Sequence, residues 1–97
     1  MITHVVSFRW KPGTTPDQVA AISAGLSTLP DAVASIRSYR HGVDVGAGTG
    51  NFDYSIVATF DDVDGWREYD EHPTHVSVRT DIVRPHIAER AAVQFES

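Results

Sequence analysis

Apolar and polar positions alternate with a period of two over residues 2–10. Ile2, His4, Val6, Phe8 and Trp10 fall on one face, and Thr3, Val5, Ser7 and Arg9 on the other, which predicts a strand. Lys11-Pro12-Gly13 turns the chain. The period then changes. Thr15 as N-cap, Pro16 at the first helical position and Gln18 completing a capping box predict a helix start. Val19, Ile22, Leu26 and Leu29 follow at helical spacing until Pro30 stops the helix. Extended segments are predicted over 35–45 and 52–60, the second with Phe52, Tyr54, Ile56, Ala58 and Phe60 on one face. The glycine-rich loop between them, Gly46 to Asn51, has no lysine behind it and leads into a strand, so it reads as a hairpin connection rather than a phosphate cradle. Asp61 or Asp62 caps a short helix carrying Val63, Trp66 and Tyr69 on one stripe. Pro73 interrupts it. A further helix runs to about Arg84 with His75, Val78 and Ile82 on its stripe, Pro85 closes it, and alternating Ala91, Val93 and Phe95 mark a last strand over 88–96.

The order β-α-β-β-α-α-β is best satisfied by an α+β, ferredoxin-like fold: a four-stranded antiparallel sheet with helices on one face. The second face, with Thr3, Val5, Ser7, Ser55, Val57 and Thr59, is of intermediate polarity. Such a face suits contact with another sheet, so a homodimer through the open face is expected. Residues 1–97 are read as one domain, small enough for association to add useful buried area.

Composition narrows the function. Eight Lys+Arg against thirteen Asp+Glu give a net charge of −5, which disfavours nucleic-acid binding; Arg37, Arg40 and His41 are read as solvated surface. The absence of cysteine rules out disulfides and thiolate chemistry. No apolar stretch approaches the length of a membrane span, and no basic-then-apolar start is present, so the expectation is a cytoplasmic protein with no membrane partner.

The densest chemistry lies in Tyr69-Asp70-Glu71-His72-Pro73-Thr74-His75. His75 shares the inward stripe with Val78 and Ile82. It is either a core histidine satisfied by a backbone carbonyl or an acid/base group lining a cavity. Tyr69 on the preceding stripe and His4 on the helix-facing side of the first strand point to the same space. Phe8, Tyr54, Trp66, Val78 and Ile82 either wall an apolar, substrate-binding pocket or fill the core. His72 is read as structural, a helix-end cation with Glu68 one turn back. His72 and His75 form an H-x-x-H, but Pro73 breaks the regular helix that would align them; no metal and no cofactor are expected.

These residues resemble the stress-responsive dimeric α/β-barrel domain (Dabb) family over essentially the whole chain. The resemblance rests on His4-Val5-Val6-Ser7-Phe8, Lys11-Pro12-Gly13, Gly42-Val43-Asp44, Phe52-Asp53-Tyr54 and, above all, the Tyr-x-x-His-Pro-x-His signature at 69–75. Among the family's enzymes the chain is similar to polyketide cyclases of the olivetolic acid type, which implies that Tyr69, His75 and His4 share one cavity. The function so implied is a small cofactor-independent enzyme acting on an apolar carbonyl compound. His75 takes a proton next to the carbonyl or polarises it, and Tyr69 hydrogen-bonds the enolate, leading to aldol cyclisation or a related lyase or isomerase step. The alternative is a non-catalytic, stress-responsive dimer that holds a small apolar ligand. Cofactor-free oxygenation is a third reading, by fold analogy alone. A connected cavity of about 300 Å³ or more between the three side chains would favour ligand chemistry.

Overall fold

The computed structural model describes residues 1–97. Its elements are β1 (Ile2–Trp10), α1 (Pro16–Ser27), α2 (Leu29–Ala32), β2 (Ser38–Val43), β3 (Tyr54–Phe60), α3 (Val63–Glu71), α4 (Pro73–Ser77) and β4 (Ile87–Glu96). The strands form one sheet in the order β2-β3-β1-β4, with every neighbour antiparallel. This is the ferredoxin-like arrangement, with helices on one face. His4, Val6 and Phe8 of β1 and Tyr54, Ile56, Ala58 and Phe60 of β3 are buried under the helices with Ile22 and Leu26 of α1. The opposite phase forms cross-strand rows on the uncovered face, one of them Arg40–Val57–Val5–Val93.

Local chemistry explains the element starts. Thr15 and Gln18 make the reciprocal capping box. Asp62, rather than Asp61, caps α3 by accepting from the Gly65 amide at 2.8 Å. Asp61 instead pairs with Arg37 through two bonds of 3.0 and 2.8 Å.

Three boundaries differ from the sequence reading. The first helix ends at Ser27, just before Pro30, but a separate short helix begins at once: Pro30 sits in the first turn of α2, where its missing N–H costs nothing, and Leu29 and Val33 stay buried. The strands of the 38–60 hairpin, Ser38–Val43 and Tyr54–Phe60, are shorter than predicted, and Asp53 just before the second is shared with β1. The Asp53 amide donates to the Phe8 carbonyl at 2.8 Å, and the Asp53 carboxylate accepts from the Trp10 amide at 2.9 Å. The predicted helix to Arg84 is α-helical only to Ser77. It then widens into a π-helical segment, Val78–Val83, and tightens into a 3₁₀ turn, Arg84–His86.

That widened segment packs on α1 at Gly25. A Cβ there would lie 3.2 Å from Ile82 Cδ1 and 3.3 Å from Val78 Cγ1, so the missing side chain is what lets the two helices meet so closely.

Candidate functional site

The break between α3 and α4 sets the site. His72 caps both helices: its amide donates to the Tyr69 carbonyl at 3.3 Å, and its Nδ1 accepts from the Thr74 amide at 3.2 Å. Its role is therefore that of an N-cap acceptor, not of a cation meeting helix carbonyls. The bend folds His75 back over the helix before it. The His75 and Tyr69 rings stack with centroids 4.0 Å apart and planes 23° from parallel. Tyr69 is 3 % and His75 8 % exposed. On the sheet side, His4 meets Tyr69 edge-on at 6.4 Å.

The hydrogen bonds assign the imidazole tautomers. His75 Nδ1 lies 3.2 Å from the Asp70 backbone carbonyl. A carbonyl only accepts, so in the neutral ring Nδ1 carries the proton and Nε2 keeps its lone pair. His4 Nδ1 faces the Gln94 amide nitrogen at 3.1 Å. An amide nitrogen only donates, so His4 Nδ1 accepts and its Nε2 carries the proton. The two rings thus present opposite functions, a free base on His75 and an N–H donor on His4, and neither Nε2 has a protein partner.

Electrostatics keep both rings neutral at neutral pH. Burial, reinforced by Arg90 and His75 and opposed by Asp70, pushes the His4 pKa down to about 4. Burial also lowers that of His75, with Arg79 adding to the effect and the Asp70 carbonyl opposing it. Burial raises the Tyr69 phenol, keeping it protonated. Its hydroxyl lies 2.9 Å from that of Tyr39 on β2.

A cavity of about 90 Å³ opens here, walled by His4, Phe8, Tyr69 and His75. Asp70, Arg79, Arg84 and Arg90 also line it. Its volume falls short of the 300 Å³ set as the mark for a ligand pocket of usual size. Of the residues read as pocket walls, only Phe8 lines it. Trp66 lies 6.0 Å from the His4 ring, outside the lining. Val78 and Ile82 face Gly25 of α1. Tyr54 lines a separate open cleft with Trp10, and its hydroxyl lies 2.6 Å from His41 Nδ1. His41 is accordingly not free surface, because Ser27 Oγ holds its other nitrogen at 3.0 Å. No three His, Asp or Glu side chains gather as a potential metal site.

Sequence reasoning missed Gln94 and the three arginines. Strand alternation carries a usable signal, since Arg90 and Gln94 share the phase opposite to Ala91, Val93 and Phe95. Arg79 stands one helical turn beyond His75. Arg84 gave no such signal: an α-helical turn would swing it away, whereas here its amide bonds the Arg79 carbonyl five residues back and brings both side chains to one cavity.

The fold and site together define a ferredoxin-like α+β domain with a small cavity lined by two histidines between sheet and helices. Comparison with known proteins narrows this further. The chain belongs to the stress responsive A/B barrel domain (Dabb) family, whose pattern matches residues 2–97. It is 25% identical over 81 residues to the stress-response A/B barrel domain-containing protein HS1 of Arabidopsis thaliana, covering 81% of this chain and 74% of that protein. A dimeric ferredoxin-like protein of unknown function from Thermobifida fusca is similar at 42% identity with a TM-score of 0.92, over 99% of this chain and 90% of that one. The hydroxynitrile lyase of Passiflora edulis shares the fold at 17% identity and a TM-score of 0.84, over 97% and 90% of the two chains. No helix is long and apolar enough to cross a membrane.

Proposed function

We propose that this protein is a cofactor-independent acid–base catalyst acting on a compact carbonyl compound. The observation that carries the reading is the pair of neutral imidazoles with opposite free functions on one cavity, His75 Nε2 as base and His4 Nε2–H as donor. His75 takes the proton from the carbon next to the carbonyl and becomes imidazolium. His4 hydrogen-bonds the carbonyl oxygen as the enolate charge develops there. The enolate then attacks a second carbonyl, as in an aldol step, expels a leaving group, or is reprotonated by His75. Tyr69 acts through its ring, which stacks on His75 and holds it in place, while its hydroxyl shares a hydrogen bond with that of Tyr39 in which either oxygen can donate. A polyketide substrate of the olivetolic acid type is less well supported by this geometry: about 90 Å³ suits a few heavy atoms. The shared fold of a hydroxynitrile lyase supports lyase chemistry as compatible with the scaffold.

The working form is a homodimer through the open sheet face, in line with the dimeric description of the Thermobifida fusca relative. A non-catalytic ligand-holding dimer has one observation in its favour, the backbone carbonyl that already satisfies His75 Nδ1. Deuterium exchange at the carbons next to the carbonyl of 2-pentanone, followed by NMR in D₂O, separates the two. Acid–base catalysis predicts exchange that His75→Ala abolishes while the circular-dichroism spectrum is unchanged. No protein-dependent exchange, or exchange undiminished in His75→Ala, rejects it.

A further inference from the structure

Three arginines and a single carboxylate line the His4–His75 cavity, in a chain where acids outnumber Lys+Arg thirteen to eight. The placement therefore runs against the composition. The one carboxylate, Asp70, is already engaged by Arg79 at 3.0 Å. Arg84 and Arg90 are exposed, and neither forms an ion pair or side-chain hydrogen bond within the chain, although Arg9, Arg37 and Arg67 all find acidic partners. Arg40 on the open sheet face likewise forms no ion pair or side-chain hydrogen bond. What distinguishes the cavity is convergence from three elements: Arg79 from the π-helical segment, Arg84 from the 3₁₀ turn and Arg90 from β4. Arg79 also buries its Nε with no hydrogen-bond partner, an arrangement that costs free energy unless something else satisfies it.

We propose that the cavity takes a small carbonyl compound that also carries an oxyanion, a carboxylate or a phosphate monoester, with Arg84 and Arg90 gripping the anion at the mouth while the carbonyl reaches His4 and His75. This inference rests on the acid–base reading of the same cavity for its carbonyl half. Guanidinium forks match the geometry of both anions, and charge-assisted hydrogen bonds are stronger than neutral ones. The π-helical turn contributes by carrying Arg84 to the cavity mouth. The anion supplies the affinity that so small an apolar space cannot.

The test compares 4-oxopentanoate, hydroxyacetone phosphate and neutral 2-pentanone on the wild-type protein and on Arg84→Gln/Arg90→Gln. The readouts are NMR shifts of the His4 and His75 ring protons on titration, and the KM of deuterium exchange. The wild type should bind at least one anion about tenfold or more tighter than 2-pentanone, and the double variant should lose that margin. The preferred anion identifies the group as carboxylate or phosphate. Equal affinity for anion and neutral ketone, a preference that survives in the double variant, or no binding of either anion overturns the inference. The two readings fail separately. Arginine-dependent anion binding without His75-dependent exchange removes the catalyst and keeps the anion site. His75-dependent exchange of 2-pentanone with no advantage for the anions does the reverse.

Discussion

The Tyr69 ring covers the His75 imidazole at 4.0 Å, and the Tyr69 hydroxyl turns to Tyr39 at 2.9 Å. Ring and hydroxyl therefore do separable jobs. Tyr69→Phe keeps the stacked face and loses one buried hydrogen bond, so unfolding free energy should fall by about 1 kcal/mol. The exchange rate should stay within a few-fold of wild type. Tyr69→Ala removes the face that holds His75, costing about 3–5 kcal/mol in stability and most of the exchange. Rate and denaturation measurements on both variants check this. A Tyr69→Phe rate as low as that of His75→Ala would make the phenol a proton donor after all.

Acid should weaken the fold through the same two histidines. Both have folded pKa values below the ordinary 6.5, His4 down to about 4, mainly through burial. Between those values the unfolded chain binds more protons than the folded one, so stability is fully present above about pH 6.5 and declines as pH falls toward 4. His4→Gln removes the larger contribution and should flatten the decline. Urea midpoints at pH 7 and pH 4.5 for both proteins test it; parallel declines would show that His4 does not titrate as stated. For catalysis the sign is the same. The free base on His75 persists below pH 6.5, and the acid limb of the exchange rate should lie there.

Much of this architecture was readable from periodicity. The strand faces of β1 and β3, the Thr15 capping box and the inward placement of His4, Tyr69 and His75 follow from spacing alone, since period two and helical spacing each select one buried face. Local rules failed where tertiary packing decides. Pro30 follows the end of α1 as its propensity dictates, yet it also lies in the first turn of α2, an unexpected restart that keeps Leu29 and Val33 buried. Nothing in the sequence of residues 78–83 announces a π-helical turn. Arg84 therefore could not be placed, and Gln94 acquires its partner only through the β1–β4 register that sets it opposite His4.

Gly25 is the position where α1 yields to the widened helix. Alanine there gains helix propensity of up to about 1 kcal/mol but places a methyl 3.2–3.3 Å from Ile82 and Val78 side chains that must shift. The two effects oppose, and Gly25→Ala should lie within about 1 kcal/mol of wild type. Valine adds two further methyls with no matching gain, and Gly25→Val should cost about 1–3 kcal/mol through overpacking. Thermal and urea unfolding of the pair measure the difference. A valine variant as stable as the alanine one would mean that Ile82 and Val78 repack freely, and that the close approach at Gly25 is not what shapes the segment above it.

The open sheet face gives the most direct test of assembly. Val57, Val93 and Phe95 are 37, 63 and 49 % exposed, and the β1–β3 and β1–β4 registers set all three on that face beside Val5 and Thr3. β4 supplies two of them, and it is also a ten-residue edge strand, a length at which an unprotected edge invites adventitious pairing. Contact between two such faces buries the apolar rows of both copies, and large exposed apolar patches of this kind mark protein interfaces. Aspartate at Val93 and Phe95 leaves a separate chain almost unaffected, because both positions face solvent there. In a dimer it forces four carboxylates into a desolvated interface, which costs several kcal/mol. Wild-type protein should therefore sediment as a dimer at micromolar concentration. Val93→Asp/Phe95→Asp should sediment as a folded monomer with a wild-type circular-dichroism spectrum. A wild-type monomer, or a double variant that remains dimeric, would move the interface away from this face or remove it.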